Sequence, residues 1–191
     1  FDANTYLLTT KALDYYDLGS RYGSLAEALQ NTRSRFLVIS FSSDWLFPPK
    51  QSRQIVDALL ASRKQVTYTE VNSRYGHDAF LLEPEILGRL LSGFLASAHG
   101  QAVPPRNVER LVSEEEPAVQ SAWTRQRVDY DRIEELIEPG SSVLDLGCGR
   151  GMLLNRLVHH KNVWGLGVEV VQDAICECVE QNLDILDIDL E

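Results

Sequence analysis

Two residues in the first half of the chain carry side chains that together can move a proton. His77 sits in Tyr75-Gly76-His77-Asp78-Ala79-Phe80, between an alternating apolar run (Val66, Tyr68, Val71) and a helix-like run that begins near Pro84. Asp44 sits in Ser42-Ser43-Asp44-Trp45-Leu46-Phe47-Pro48-Pro49, directly after the apolar run Phe36-Leu37-Val38-Ile39-Ser40-Phe41. A neutral imidazole with a pKa near ~6.5 accepts a proton at pH 7 and returns it to a leaving group. A carboxylate beside it fixes the tautomer and stabilises the imidazolium that develops. Such a pair serves a nucleophile that cannot attack an acyl group unaided, a serine hydroxyl above all. In the chain order serine, acid, histidine, the last two members can follow successive strands. The chain contains no Gly-x-Ser-x-Gly turn, so the serine is expected upstream of Phe1.

A second constellation lies in the other half. Val143-Leu144-Asp145-Leu146-Gly147-Cys148-Gly149-Arg150-Gly151 has acid-x-Gly-x-Gly-x-Gly spacing, different from the Gly-x-Gly-x-x-Gly of dinucleotide folds. Glycines at Gly147, Gly149 and Gly151 permit a tight strand-to-helix turn and let backbone approach a ligand closely. Glu169 closes the next apolar run, and an acid there can accept the ribose hydroxyls of a nucleoside. The plainer reading of the glycines is a tight turn without a ligand.

The elements that must position these residues follow from periodicity. Phe36 to Phe41 predicts a strand covered on both faces, and Gln65 to Val71 the next strand. Helices are predicted over Gln51–Ser62 and Glu85–Ala98, giving strand, helix, strand, helix with parallel crossovers. Upstream, Tyr6, Leu7, Leu13 and Tyr16 share one face of a helix that Asp2 or Asn4 caps and Gly19 ends. Ser24 and Glu27 form the capping box of a shorter helix to Gln30. These two helices read either as part of a cap over an active site or as ordinary packing helices. Residues 99–121, with Gly100, Pro104-Pro105 and Glu114-Glu115-Glu116-Pro117, read as a linker. Beyond it the pattern predicts a helix Tyr130–Ile137, strands Ser142–Leu146, Val163–Val168 and Ile185–Leu190, and helices Met152–His160 and Gln172–Gln181. That is the opening half of a nucleotide-binding βαβαβ sheet.

Composition narrows the classes. A net charge of -10 argues against nucleic acid as a partner, since a phosphate-backbone binder carries a basic stripe. No apolar run approaches the ~20 residues of a membrane span, and the start does not read as a signal peptide. Three cysteines give no disulfide framework, and Cys176 and Cys178, two apart on a helix, form no metal clip. Cys148 reads as small packing beside the glycine loop. A reducing, cytoplasmic compartment and no metal are expected. The start at Phe1 and the unfinished alternation at the other end predict a piece of a longer chain.

Phe1-Asp2-Ala3-Asn4-Thr5-Tyr6, Ser43-Asp44-Trp45-Leu46-Phe47-Pro48-Pro49 and Tyr75-Gly76-His77-Asp78-Ala79-Phe80-Leu81 resemble the C-terminal part of homoserine O-acetyltransferase, over about residues 1–98. Those enzymes are α/β-hydrolase-fold acyltransferases of methionine biosynthesis. The resemblance implies that Asp44 is the triad acid, His77 the base, and Asp78 the partner of the homoserine ammonium. It implies acyl transfer from acetyl-CoA or succinyl-CoA, through a serine, to the hydroxyl of L-homoserine, and a homodimer formed through the cap. These residues alone are then expected to be inactive.

The glycine loop with Glu169 resembles a class I S-adenosylmethionine methyltransferase. This implies that Asp145, Gly147, Gly149 and Gly151 meet the methionine moiety, Glu169 the ribose and Asp189 the adenine amino group. Arg127-Val128-Asp129-Tyr130-Asp131 through Glu138-Pro139-Gly140, with Gly165-Leu166-Gly167-Val168-Glu169 and Ala174-Ile175-Cys176-Glu177-Cys178-Val179, resembles methionine-biosynthesis protein W over about residues 122–191. The implied fold class is α/β: a partial α/β-hydrolase, with parallel sheet and cap helices, then a partial Rossmann-like class I methyltransferase fold. The alternative is a serine esterase fragment joined to a true methyltransferase.

Overall fold

The computed structural model describes residues 2–98 and 130–189. The predicted linker, 99–121, lies outside the described residues. The first part runs α1 (Ala3–Asp14), α2 (Leu18–Tyr22), α3 (Leu25–Leu29), β1 (Phe36–Phe41), α4 (Pro49–Ala61), β2 (Val66–Val71), a 3-10 turn (Gly76–Asp78), α5 (Ala79–Leu82) and α6 (Pro84–Ala98). The second runs α7 (130–136), β3 (Ser142–Leu146), α8 (Met152–Lys161), β4 (Trp164–Val168), α9 (Gln172–Glu180) and β5 (Asp184–Leu186).

Local chemistry accounts for most boundaries. Pro49 opens α4 and Pro84 opens α6, where a fixed φ and a missing N–H cost nothing. Asp2 caps α1 by accepting from the Thr5 N–H at 2.9 Å, and Ser24 caps α3 by accepting from Glu27 N–H at 3.1 Å. Gly19, expected to end the first helix, instead lies inside α2. The reason is Asp17, whose carboxylate accepts from the Ser20 N–H at 3.0 Å and starts a new helix. The apolar side chains expected to share one helical face, Tyr6, Leu7 and Leu13 on α1 and Tyr16 just beyond it, all stand on the surface. Pairing of β5 ends at Leu186, earlier than the alternation predicts, because Asp187 turns its carboxylate onto β2.

The five strands form one parallel sheet in the order β1-β2-β5-β4-β3. One sheet, rather than two partial ones, therefore carries both motifs. β2 and β5 join the two halves of the sheet through a single bridged pair at their edges. Tyr68 stands opposite Leu186, and the Asp187 N–H donates to the Tyr68 carbonyl at 3.0 Å.

Side chains alternate across this sheet and supply a core on each face. On one face Val66 and Tyr68 of β2 meet Leu166 of β4, Leu186 of β5 and Val56 and Leu59 of α4. On the other, Val71, Leu90 and Phe41 meet Ile175, Cys176, Cys178, Leu154 and Ile185. Both cores thus draw on residues from both parts of the chain. Gly93 lets α6 lie against α9: a Cβ there would fall 3.2 Å from the Glu180 backbone. Arg89 bridges the same crossing, 2.8 Å from Asp173 and 3.4 Å from Glu180. Arg35 reaches Asn182 and, at 3.1 Å, the buried Asp184 carboxylate. Burial raises the Asp184 pKa, and Arg35 opposes that rise.

Among the described residues no helix is long and apolar enough to cross a membrane, and no group of three or more His, Cys, Asp or Glu could hold a metal ion.

Candidate functional site

Parallel register brings the loops after β1 and β2 to the same sheet edge, because Phe41 stands opposite Val71. The two loops are then fastened together. Ser42 Oγ donates to Asn72 Oδ1 and to the Ser73 carbonyl, each at 3.1 Å, and accepts from the Ser73 N–H at 3.1 Å. The Gly76 N–H donates to Ser43 Oγ at 2.8 Å. One residue further along each loop, Asp44 Oδ2 lies 3.0 Å from His77 Nδ1. The predicted acid and histidine therefore meet.

Asp44 is held from both sides. Its Oδ1 accepts from the Leu46 and Phe47 N–H groups at 2.9 and 3.0 Å, leaving Oδ2 for the imidazole. Burial alone would raise this carboxyl, which is only 7% exposed. The Phe47 N–H, the His77 ring and the Leu46 N–H outweigh that and keep it below the usual carboxylate range. Asp44 is thus an anion that fixes Nδ1–H as donor and leaves Nε2 as the basic nitrogen.

The His77 ring makes tilted contacts with Phe47 and Phe80, with centroids 5.1 and 5.7 Å away. Sequence reasoning missed these contacts. Their signal was present: each Phe stands three residues after a member of the pair, about one turn on. Asp78 ends the same 3-10 turn and is exposed to solvent.

The second motif forms at the carboxyl ends of β3 and β4. Gly147, Gly149 and Gly151 all adopt positive φ, at 73°, 54° and 73°. Gly151 is the most constrained, since a Cβ there would meet Leu183 Cδ1 at 2.4 Å as well as the left-handed backbone. Around Gly147 and Gly149 there is open space. The Gly147 and Cys148 N–H groups donate to the Val168 carbonyl at 2.9 and 3.0 Å, folding the loop onto the end of β4. Burial pushes the Asp145 carboxyl up.

Glu169 is more engaged than expected. Its Oε2 accepts from the Gly149 N–H at 2.8 Å, and its Oε1 from the N–H groups of Val170 and Val171 at 2.8 and 2.9 Å. A carboxylate offers about four acceptor positions, so this one keeps room for roughly one further donor. Asp189 is exposed in the segment after β5.

Asp187 is a further acid that the sequence did not single out. Its Oδ2 accepts from the Glu70 N–H, Thr69 Oγ1 and Gln172 Nε2, at 3.0, 3.1 and 3.0 Å. It ties the end of β2, which leads toward His77, to the start of α9, which follows Glu169.

Residues 127–191 match the family model of Methionine biosynthesis protein MetW. The whole chain is 41% identical, over 198 aligned positions, to the Bifunctional methionine biosynthesis protein MetXA/MetW of Rhodopirellula baltica, covering 100% of the chain and 30% of that relative. It is 56% identical over 99 residues to a Homoserine O-acetyltransferase of Methanohalobium evestigatum, covering 52% of the chain and 20% of that protein. A Homoserine O-succinyltransferase of Neisseria meningitidis serogroup B is 51% identical over 100 residues, covering 52% of the chain and 26% of the relative. The chain thus spans less than a third of the length of each of these relatives. Its N-terminal half is similar to homoserine O-acyltransferases, its C-terminal part matches the MetW family, and the Rhodopirellula protein is similar to both at once.

Proposed function

We propose that this chain is part of a homoserine O-acyltransferase of methionine biosynthesis, joined to the first part of a MetW-type domain that binds S-adenosylmethionine. The observation that carries the first half is the Asp44–His77 pair, 3.0 Å apart at the tips of adjacent parallel strands. Similarity to homoserine O-acetyl- and O-succinyltransferases over the same residues supports it.

In this reading His77 Nε2 takes the proton of the nucleophile as it attacks the acyl-CoA thioester, and Asp44 stabilises the imidazolium. The proton then passes to the departing CoA sulfur. His77 next deprotonates the homoserine hydroxyl, which displaces the nucleophile from the acyl group. Phe47 and Phe80 contact the imidazole at tilted angles and help to fix its orientation. Asp78, next to His77 and facing solvent, receives the homoserine ammonium. In this reading residues 1–98 and 122–191 belong to two larger α/β units of the longer protein, a hydrolase fold and a class I methyltransferase fold, although in this chain their strands share one sheet. The exposed apolar face of α1 supports a homodimer formed through the cap. Three free cysteines fit a cytoplasmic protein.

Asp78→Ala tests the substrate. In the longer protein it raises the KM for homoserine on the order of tenfold or more, as expected for loss of a charge-assisted contact, while acyl-CoA hydrolysis persists. An unchanged KM removes Asp78 from the ammonium site.

For the second half, Asp145, Gly147, Gly149 and Glu169 are the residues that would hold S-adenosylmethionine, whose sulfonium carries a transferable methyl group. Open space over Gly147 and Gly149, and an Asp145 carboxyl whose pKa burial raises, support the fit. Glu169 has room for one ribose hydroxyl, or for both once an N–H is released. Calorimetric titration of S-adenosylmethionine into the longer protein tests this. Binding that falls at least about tenfold in Glu169→Ala supports the site; no heat at millimolar ligand excludes it.

A further inference from the structure

The three cysteines do not sit in equivalent places. Cys148 lies in the glycine loop and Cys178 on α9, and their sulfurs converge under that loop. Both thiols point at one acceptor, the Gly149 carbonyl oxygen, with Cys178 Sγ at 3.3 Å and Cys148 Sγ at 3.8 Å. Sharing that acceptor makes the two sulfurs neighbours, close enough for each to shift the other's pKa. Glycines on either side make the space for them: a Cβ on Gly151 would fall 2.9 Å from Cys178 Sγ, and one on Gly167 would fall 2.7 Å from Cys148 Sγ. Cys178 is fully buried, whereas Cys148 is partly open to solvent.

We propose that Cys148 and Cys178 form a peroxide-oxidisable dithiol whose disulfide ties the glycine loop to α9. The chemistry uses hydrogen peroxide as the two-electron oxidant. The Cys148 thiolate attacks one peroxide oxygen; the O–O bond breaks, an S–O bond forms, and hydroxide leaves. The Cys178 sulfur then displaces the Cys148 sulfenic oxygen, forming the S–S bond and releasing water. Two thiols and one peroxide give one disulfide and two waters.

The division of roles follows from the surroundings. Interaction with the neighbouring Cys178 thiol lowers the Cys148 pKa, against burial and the charges of Asp145 and Glu169. The same contact and burial raise Cys178, which fits a resolving thiol that reacts only once its neighbour is oxidised. Cys176 serves as the internal control: it is fully buried, and burial pushes its thiol up to about 11. The inference stands whether or not the loop holds a nucleoside.

The test treats the folded, reduced chain with hydrogen peroxide, alkylates remaining thiols after denaturation, and maps the cysteines by mass spectrometry. Cleavage at Glu177 separates Cys176 from Cys178. The expected product is an intramolecular Cys148–Cys178 disulfide with Cys176 alkylated, formed on the order of tenfold faster than any oxidation of Cys176. Cys178→Ser should trap the Cys148 sulfenic acid as a dimedone adduct, and Cys148→Ser should leave Cys178 alkylatable. Recovery of all three cysteines as alkylated thiols overturns the proposal. So does a link that includes Cys176 or joins two chains, or a wild-type Cys148 sulfenic acid that never links to Cys178.

Discussion

Asp44→Asn lowers acyl transfer to homoserine on the order of 10⁴-fold in kcat, in the longer protein that supplies the nucleophile, with little change in KM. The side chain keeps its size and can still accept from the Leu46 and Phe47 N–H groups through its amide oxygen. The group facing His77 Nδ1 then becomes an amide NH₂, which donates and so demands the opposite tautomer. The basic lone pair is turned away from the nucleophile, and the imidazolium of the transition state loses its counter-charge. Acyl transfer followed by release of the CoA thiol measures the effect, and circular dichroism checks that the fold is retained. A loss below tenfold would mean that the 3.0 Å contact is structural rather than catalytic. The sign of the pH dependence follows from the same surroundings. Asp44 is held below its ordinary pKa of 3.8. The stability it contributes is therefore present above about pH 3.9 and lost as pH falls through that lowered value. Across mildly acidic pH the carboxylate stays charged.

Gly93→Leu destabilises the chain by about 3 kcal/mol, because the added side chain starts inside van der Waals distance of the Glu180 backbone and backbone cannot swing aside. For a chain of this size that lowers Tm by roughly 6–12 °C. Gly88 is the control. It lies on the same helix with open space around its Cβ position, so Gly88→Ala should raise stability by about 0.5–1 kcal/mol through helix propensity. Thermal unfolding of the three proteins followed at 222 nm reads both effects (a far-ultraviolet helix signal). A Gly93→Leu protein that melts with the parent would mean that α6 and α9 do not pack at this crossing. The two substitutions on one helix separate contact between the parts of the chain from helix propensity.

Much of the site was legible because its determinants are local. Strand and helix periods place Asp44 after one strand and His77 after the next, and the parallel register Phe41–Val71 then does the rest. Likewise, Asp145, the three glycines and Glu169 lie at successive strand ends, where the spacing of types alone anticipates a loop built on positive φ. The starts of the predicted helices fell within a residue or two of the observed ones, since a cap satisfies backbone groups only three or four positions away. The short helices α2 and α5 were not anticipated from such signals.

What only the tertiary structure decided are contacts between distant residues. The union of both motifs on one sheet depends on β2 accepting β5, with Thr69 and Asp187 bonded across 118 positions of chain. Two open strand edges have no preference for each other that composition records; their pairing is set by which helices cover the joined faces. Glu169, expected to wait for ribose, turned out to brace Gly149, because a partly buried loop N–H takes the acceptor that the next strand end brings to it. The helical period of α1 left open whether its apolar face is packed, and the structure exposes it: period reports which residues share a face, and only packing against a neighbour decides whether that face is dry.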